Sequence, residues 1–133
     1  MVKEIIQAIQ TAEKQTSGEI RVHLKRRCGK DVLAEAKKTF RKLRMDRTAR
    51  RNGVLIFVAP GSRRFAIYGD EGIHQKVGDA FWNETRDKIG ACFSKGLIKE
   101  GIIAGIESVG EKLKTYFPSK DGKNELSNEV TED

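Results

Sequence analysis

Two cysteines in 133 residues, Cys28 and Cys92, are too few for a disulfide framework or a Cys-rich zinc module. Histidine is as scarce. His23 and His74 stand alone, with no HExxH or other paired spacing, which argues against a zinc hydrolase. No run of about 18 apolar residues exists, which excludes a transmembrane helix. GxSxG, GxxxxGK(S/T) and GxGxxG are all missing, and with them the usual hydrolase and nucleotide-binding fingerprints. The start, Met1-Val2-Lys3-Glu4, has an early acid and neither a long apolar stretch nor a small-residue cleavage site. A secretory signal is therefore not expected, and a cytoplasmic location is. What is present is 38% hydrophobic and 34% charged, the balance of a soluble globular chain. One domain of this size hides roughly two thirds of its unfolded surface, enough for one core without staples.

The net charge of +7 is unevenly spread. Residues 119–133 hold five acids and two lysines, a net −3, so the first 118 residues carry +10. Between Arg21 and Arg51, thirteen Lys/Arg stand against Asp31, Glu35 and Asp46, so this segment alone accounts for that +10. Such a patch suits an anionic partner, or is an ordinary solvated helix face. Phe40 is its only aromatic and falls on an apolar stripe. Stacking on single-stranded nucleic acid is thus poorly supported, leaving only salt-sensitive nonspecific contact.

Hydrophobic spacing organises the rest. Residues 2–14 read as an amphipathic helix through Val2, Ile5, Ile6, Ile9 and Ala12, stopped by Thr16-Ser17-Gly18. Glu19 to Leu24 alternates as a strand, with Ile20, Val22 and Leu24 inward and Glu19, Arg21 and His23 on a polar face. A second helix runs from an Asp31 cap to about Met45, with Leu33, Ala36, Phe40 and Leu43 as core and Lys37, Lys38, Arg41 and Lys42 outward. Val54 to Ala59 is continuously apolar, as in a strand covered on both faces, and a short turn makes it a hairpin with residues 64–68. The intervening helix makes the first two strands parallel. Val77, Phe81, Thr85, Ile89 and Cys92 then mark one long helix. A last helix at about 99–117 buries Ile102, Ile106, Val109, Leu113 and Phe117, with Gly101 and Gly105 suited to a close helix contact. The expected fold is α/β, a three-layer α/β/α sandwich around a small mixed sheet of three to four strands. Residues 119–133 read as a disordered acidic tail.

Chemistry points first to Tyr68-Gly69-Asp70-Glu71-Gly72-Ile73-His74, two carboxylates between glycines at a strand-to-helix turn. With nearby Asp79 they offer oxygen ligands that suit Ca²⁺ or Mg²⁺, though the run is no EF-hand. Acids at a helix start are equally what capping favours. His74 is either a general acid or base beside Asp70 or a first-turn surface residue. His23 is expected to make a cross-strand hydrogen bond. Trp82 reads as core edge or contact residue, Cys92 as core, and Cys28 as a cation-flanked thiol without a catalytic partner.

Thr16-Ser17-Gly18-Glu19-Ile20, Arg51-Asn52-Gly53-Val54-Leu55-Ile56 and Ile67-Tyr68-Gly69-Asp70-Glu71-Gly72-Ile73 together resemble the TPM domain family, over about residues 1–118. That family includes a thylakoid lumen phosphatase-like protein and a photosystem II repair protein. Phe81-Trp82 and the closing 110–118 stretch resemble its compact soluble branch. The resemblance implies an α/β/α sandwich with about four strands, a divalent ion near the strand ends, and weak acid phosphatase activity in some plant members. Two departures stand out. The acidic turn is one residue longer than the common Gly-x-Gly-Leu, and Arg51 replaces an Asp that many members carry before Asn-Gly.

Three functions follow as expectations. The first is a divalent-ion-binding interaction or regulatory module with an unknown protein partner. Asp70 and Glu71 would be primary ligands and Glu19, Asn52 and Asp79 secondary ones, with Thr48 and His74 lining the pocket. The second is a metal-assisted phosphatase in which Arg50 or Arg51 holds phosphate and His74 moves a proton. The third is an adaptor that grips an anionic partner through Lys37, Lys38, Arg41 and Lys42.

Overall fold

Gly53–Ala59 form β2, and every residue in it is buried. The run is apolar without alternation because helices cover both faces. On one side β2 pairs in parallel with β1 (Glu19–Leu24), setting Ile20 opposite Val54 and Leu24 opposite Val58. On the other it pairs antiparallel with β3 (Arg64–Gly69), setting Leu55 opposite Tyr68. A short β4 (Val130–Glu132) adds in parallel to the far edge of β1, so the order is β3-β2-β1-β4. The structure, a computed structural model, describes residues 2–119 and 130–132.

Among the described residues five helices flank this sheet: α1 (Val2–Glu13), α2 (Val32–Lys42), α3 (Glu71–Val77), α4 (Asn83–Phe93) and α5 (Ile98–Tyr116). Helices α1, α3, α4 and α5 share one apolar cluster with Ile20, Val22, Val54 and Ile56. Helix α2 covers the opposite face, Ala36 with Phe57 and Ala59, Phe40 with Leu55. The expected α/β/α sandwich is thus the observed one. The α5 stripe from Ile102 to Phe117 is buried throughout. Close helix packing explains its glycines: a Cβ on Gly101 would meet the Phe93 ring at 2.5 Å, and one on Gly105 would meet Ile89 at 2.7 Å. The turn between α1 and β1 is pinned to the end of α5, where the buried Thr16 hydroxyl donates to the Phe117 carbonyl at 2.5 Å.

Four expectations need correction. The long helix over 77–92 is interrupted: α3 ends at Gly78, whose φ of 77° is left-handed, and a 3₁₀ turn (Asp79–Trp82) precedes α4. Trp82 takes the buried place there, while Phe81 and Cys92 are only half-buried. Leu33 is 51% exposed instead of core, because Val32 beside it in the first turn of α2 takes the place against Ala36 and Phe57. The second helix also stops at Lys42, short of Met45, where Arg44 adopts a left-handed φ of 59°. Finally, Glu19, Arg21 and His23 are buried: His23 stacks on the Phe57 ring of β2, and Glu19 lies beside Glu13 of α1. The expected His23 hydrogen bond is present, between ring Nδ1 and the Thr131 hydroxyl of β4 at 2.5 Å. Of the stretch read as a disordered tail, 130–132 form β4, and 120–129 and 133 lie outside the described residues.

Candidate functional site

The β2–β3 register carries Asp70 past Gly69 to the N-terminal ends of β1 and β2, where its amide donates to the Gly53 carbonyl at 2.9 Å. Asp70 caps α3 by accepting the Glu71 amide on Oδ1 at 2.8 Å. Arg51 then closes on the same carboxylate in a fork. Its Nε reaches Oδ2 at 2.8 Å and its Nη2 reaches Oδ1 at 2.9 Å. The Asp70 side chain is 2% exposed and that of Arg51 43%. The Arg51 backbone is left-handed at φ 51°, which turns the guanidinium towards the carboxylate. The pairing holds the Arg51 pKa above its ordinary value. Glu71 lies further out, 3.8 Å from Arg51 Nη1.

The chain thus brings Asp70, Glu71, Asn52 and Thr48 to one end of the sheet, where Asp70 caps α3 and pairs with Arg51. Asn52 is wholly buried, its amide donating to the Thr48 hydroxyl at 3.3 Å and its side-chain NH₂ to the Ser17 hydroxyl at 3.3 Å. Arg50 donates to the same Ser17 oxygen at 3.0 Å. The sequence marks Ser17 as part of a helix stop and of the family stretch, and gives no sign that it joins Asn52 and Arg50. Asp79 heads the 3₁₀ turn after α3, and Glu19 engages α1 as described below. His74 lies one turn into α3, with its backbone N–H on the Asp70 carbonyl at 3.1 Å. Among the described residues no three His, Cys, Asp or Glu side chains converge as a metal site. Both Asp70 oxygens already face a guanidinium, and a bound divalent ion would have to displace it. As arranged, this turn does not fit a resident cation.

Exposed positive charge gathers on the α2 side. Lys37, Lys38, Arg41 and Lys42 are all exposed, followed by Arg44, Arg47 and Arg50. Arg41 and Lys42 sit in the last turn of α2, where the helix dipole favours cations. Of the acids in this segment, Glu35 is taken up locally. It accepts the Gly29 amide at 2.5 Å, which lowers its pKa, and lies 3.3 Å from Lys25 Nζ.

A second polar cluster was not foreseen. Glu13, at the end of α1, is 3% exposed and accepts the Ile20 amide at 2.7 Å on one oxygen. Burial pushes its pKa to about 8, with neighbouring Glu19 adding to the rise and the Ile20 amide opposing it. The folded chain therefore keeps a proton on Glu13 that an unfolded Glu loses. The stabilisation is complete below about pH 4.5 and is lost as pH rises through about 8. Glu13→Gln, which mimics the protonated acid, is expected to flatten the fall of Tm across that window. Parallel pH–Tm profiles for parent and variant would contradict this protonation.

Comparison with known proteins follows the same geometry. Residues 2–112 match the TPM domain family. A solved structure, the BA42 protein from the psychrophilic bacterium Bizionia argentinensis, is 47% identical. It superposes with a TM-score of 0.92, over 98% of this chain and 91% of that one. No curated protein matches the sequence. No helix among the described residues is long and apolar enough to cross a membrane. With the family matched over nearly the whole sandwich and its turns standing at one end of the sheet, the chain belongs to the TPM domain family.

Proposed function

We propose that this TPM domain is an interaction module that docks an anionic protein partner on the face formed by α2 and the Arg44–Arg50 connection. One observation carries the reading: the cations of this face stand exposed, while the candidate ion ligand Asp70 is closed off by Arg51. The ion-binding reading would require Arg51 to leave Asp70 before an ion is admitted, and so would a phosphatase reading in which Arg51, not Arg50, holds the phosphate. The described basic face presents no exposed aromatic, since Phe40 is 1% exposed, so a protein fits better than a single-stranded nucleic acid.

The test compares two charge reversals that change net charge equally. Lys37, Lys38, Arg41 and Lys42 are replaced by Glu in one variant, and the exposed Lys3, Lys14, Lys95 and Lys114 in the other. Binding of labelled poly-glutamate should weaken at least about tenfold, 1.4 kcal/mol, in the first and much less in the second. Equal losses would reduce the effect to net charge and remove the docking face.

A further inference from the structure

We infer that the partner is an acidic extended segment that adds as a fifth strand to the open edge of β3. This rests on the basic-face reading for the partner's charge and goes beyond it in fixing how the partner is held. Among the described residues β3 ends the sheet. The Asp70 amide bond to the Gly53 carbonyl sets the phase of the ladder. Residues 70, 68, 66 and 64 therefore exchange hydrogen bonds with β2, and the N–H and C=O groups of Phe65, Ile67 and Gly69 point outward. Such an edge is a template for a further strand.

The space beside it is already shaped. A groove of about 490 Å³ runs along Ile67–Gly69, between Leu33 and Lys37 of α2 and His74, Trp82 and Arg86 on the other layer. A second of about 520 Å³ continues along Arg64–Phe65, beside Gly90 and Phe93 of α4. Arg86 and Gly90 are one turn apart on α4, so the two hollows follow one another along the strand. A Cβ on Gly90 would meet nothing within 4 Å, so the slot is open there. The exposed Leu33 supplies an apolar contact on the α2 wall.

Charge selects the occupant. Arg63 and Arg64 line one end and Lys37 and Arg86 the other, against Glu71 as the carboxylate of the lining. A second copy pairing antiparallel through the same edge would set Arg63 and Arg64 against the Lys37 and Arg86 end of its mate, cation against cation, which disfavours it. A segment alternating acidic and apolar residues places carboxylates towards one wall and apolar side chains towards the other. The opposite edge of the sheet is already extended by an added strand, Val130–Glu132 on β1.

The probe is a labelled peptide of alternating valine and glutamate, titrated against the full chain. A matched peptide, N-methylated on alternate residues, keeps the charge but cannot pair its backbone. The parent peptide should bind at least about tenfold tighter than the methylated one and slow amide exchange at Phe65, Ile67 and Gly69. Gly90→Phe, which fills the slot without entering the core, should abolish that difference and leave poly-glutamate binding unchanged. Equal binding of the two peptides, with poly-glutamate still held by the basic face, would overturn strand addition alone. Loss of poly-glutamate binding as well would overturn the basic-face reading beneath it. A dimer in sedimentation that Gly90→Phe dissolves would assign the edge to a second copy and overturn the acidic-partner proposal.

Discussion

Gly72→Ala should lower stability by about 3 kcal/mol, a Tm loss of roughly 10 °C in a domain of this size. Gly72 lies in the first turn of α3, and its amide donates to the Arg51 carbonyl at 2.8 Å. A Cβ would fall inside contact distance of the Arg50 carbonyl oxygen and 2.5 Å from that of Arg51. Both obstacles are backbone, so no rotamer change relieves them; either α3 or the 50–51 turn must move. Gly90→Ala is the matched control, because the same methyl there meets open space. It should gain about 0.5–1 kcal/mol from helix propensity alone. A thermal melt in which Gly72→Ala behaves like Gly90→Ala would show that the 50–51 turn does not pack on α3.

Arg51→Gly should lower Tm by roughly 5 °C or more and make the chain respond to divalent ions. Glycine keeps the left-handed backbone at φ 51° without strain, so the loss reports the guanidinium. Removing it leaves the Asp70 carboxylate, 2% exposed, facing no cation, and a buried charge without its partner is costly. Added Ca²⁺ or Mg²⁺ should then restore part of the lost Tm through binding to the folded state. The chelated parent should show little response to the same ions, because its carboxylate is already paired. A parent that gains as much Tm from the ion as the variant would show that Arg51 does not occupy the cation position.

Much of this fold is legible because burial and periodicity coincide. The apolar run of β2 and the α5 stripe have no other stable placement, and the hairpin follows from the short link at Pro60–Ser62. The break at Gly78 is not legible, since the 3.6-residue spacing from Val77 to Ile89 continues across it. Only the backbone conformation at Gly78 separates α3 from the turn that buries Trp82. The residues of β1 read as one apolar and one polar face, and alternation cannot reveal that residues 130–132 add at its edge. Glu13 is hidden for a similar reason: its burial depends on how α1 hands the chain to β1, beside the Ile20 amide.

At the candidate site, residue types single out the Asp70 turn but do not show its partners. Asp70 and Glu71 between glycines fit an ion ligand and a helix cap equally well by composition. Arg51 pairs with the Asp70 carboxylate, and only the register of Val54 against Gly69 brings it there. Leu33 was assigned to the core by spacing alone. Its exposure next to Lys37 is instead what links the basic face to the β3 edge.

The central claim is that this chain pairs its acidic turn internally and directs its free positive charge to an acidic partner. A salt titration of the alternating valine–glutamate peptide against the full chain, run with chelator and again with Ca²⁺ or Mg²⁺, tests it most directly. Raising salt from about 0.1 M to about 1 M shortens the screening length from about 10 Å to about 3 Å. Binding should fall steeply across that range and be the same with chelator or ion. Binding indifferent to salt, or lost when chelator is added, would contradict the account and return the Asp70 turn to an ion.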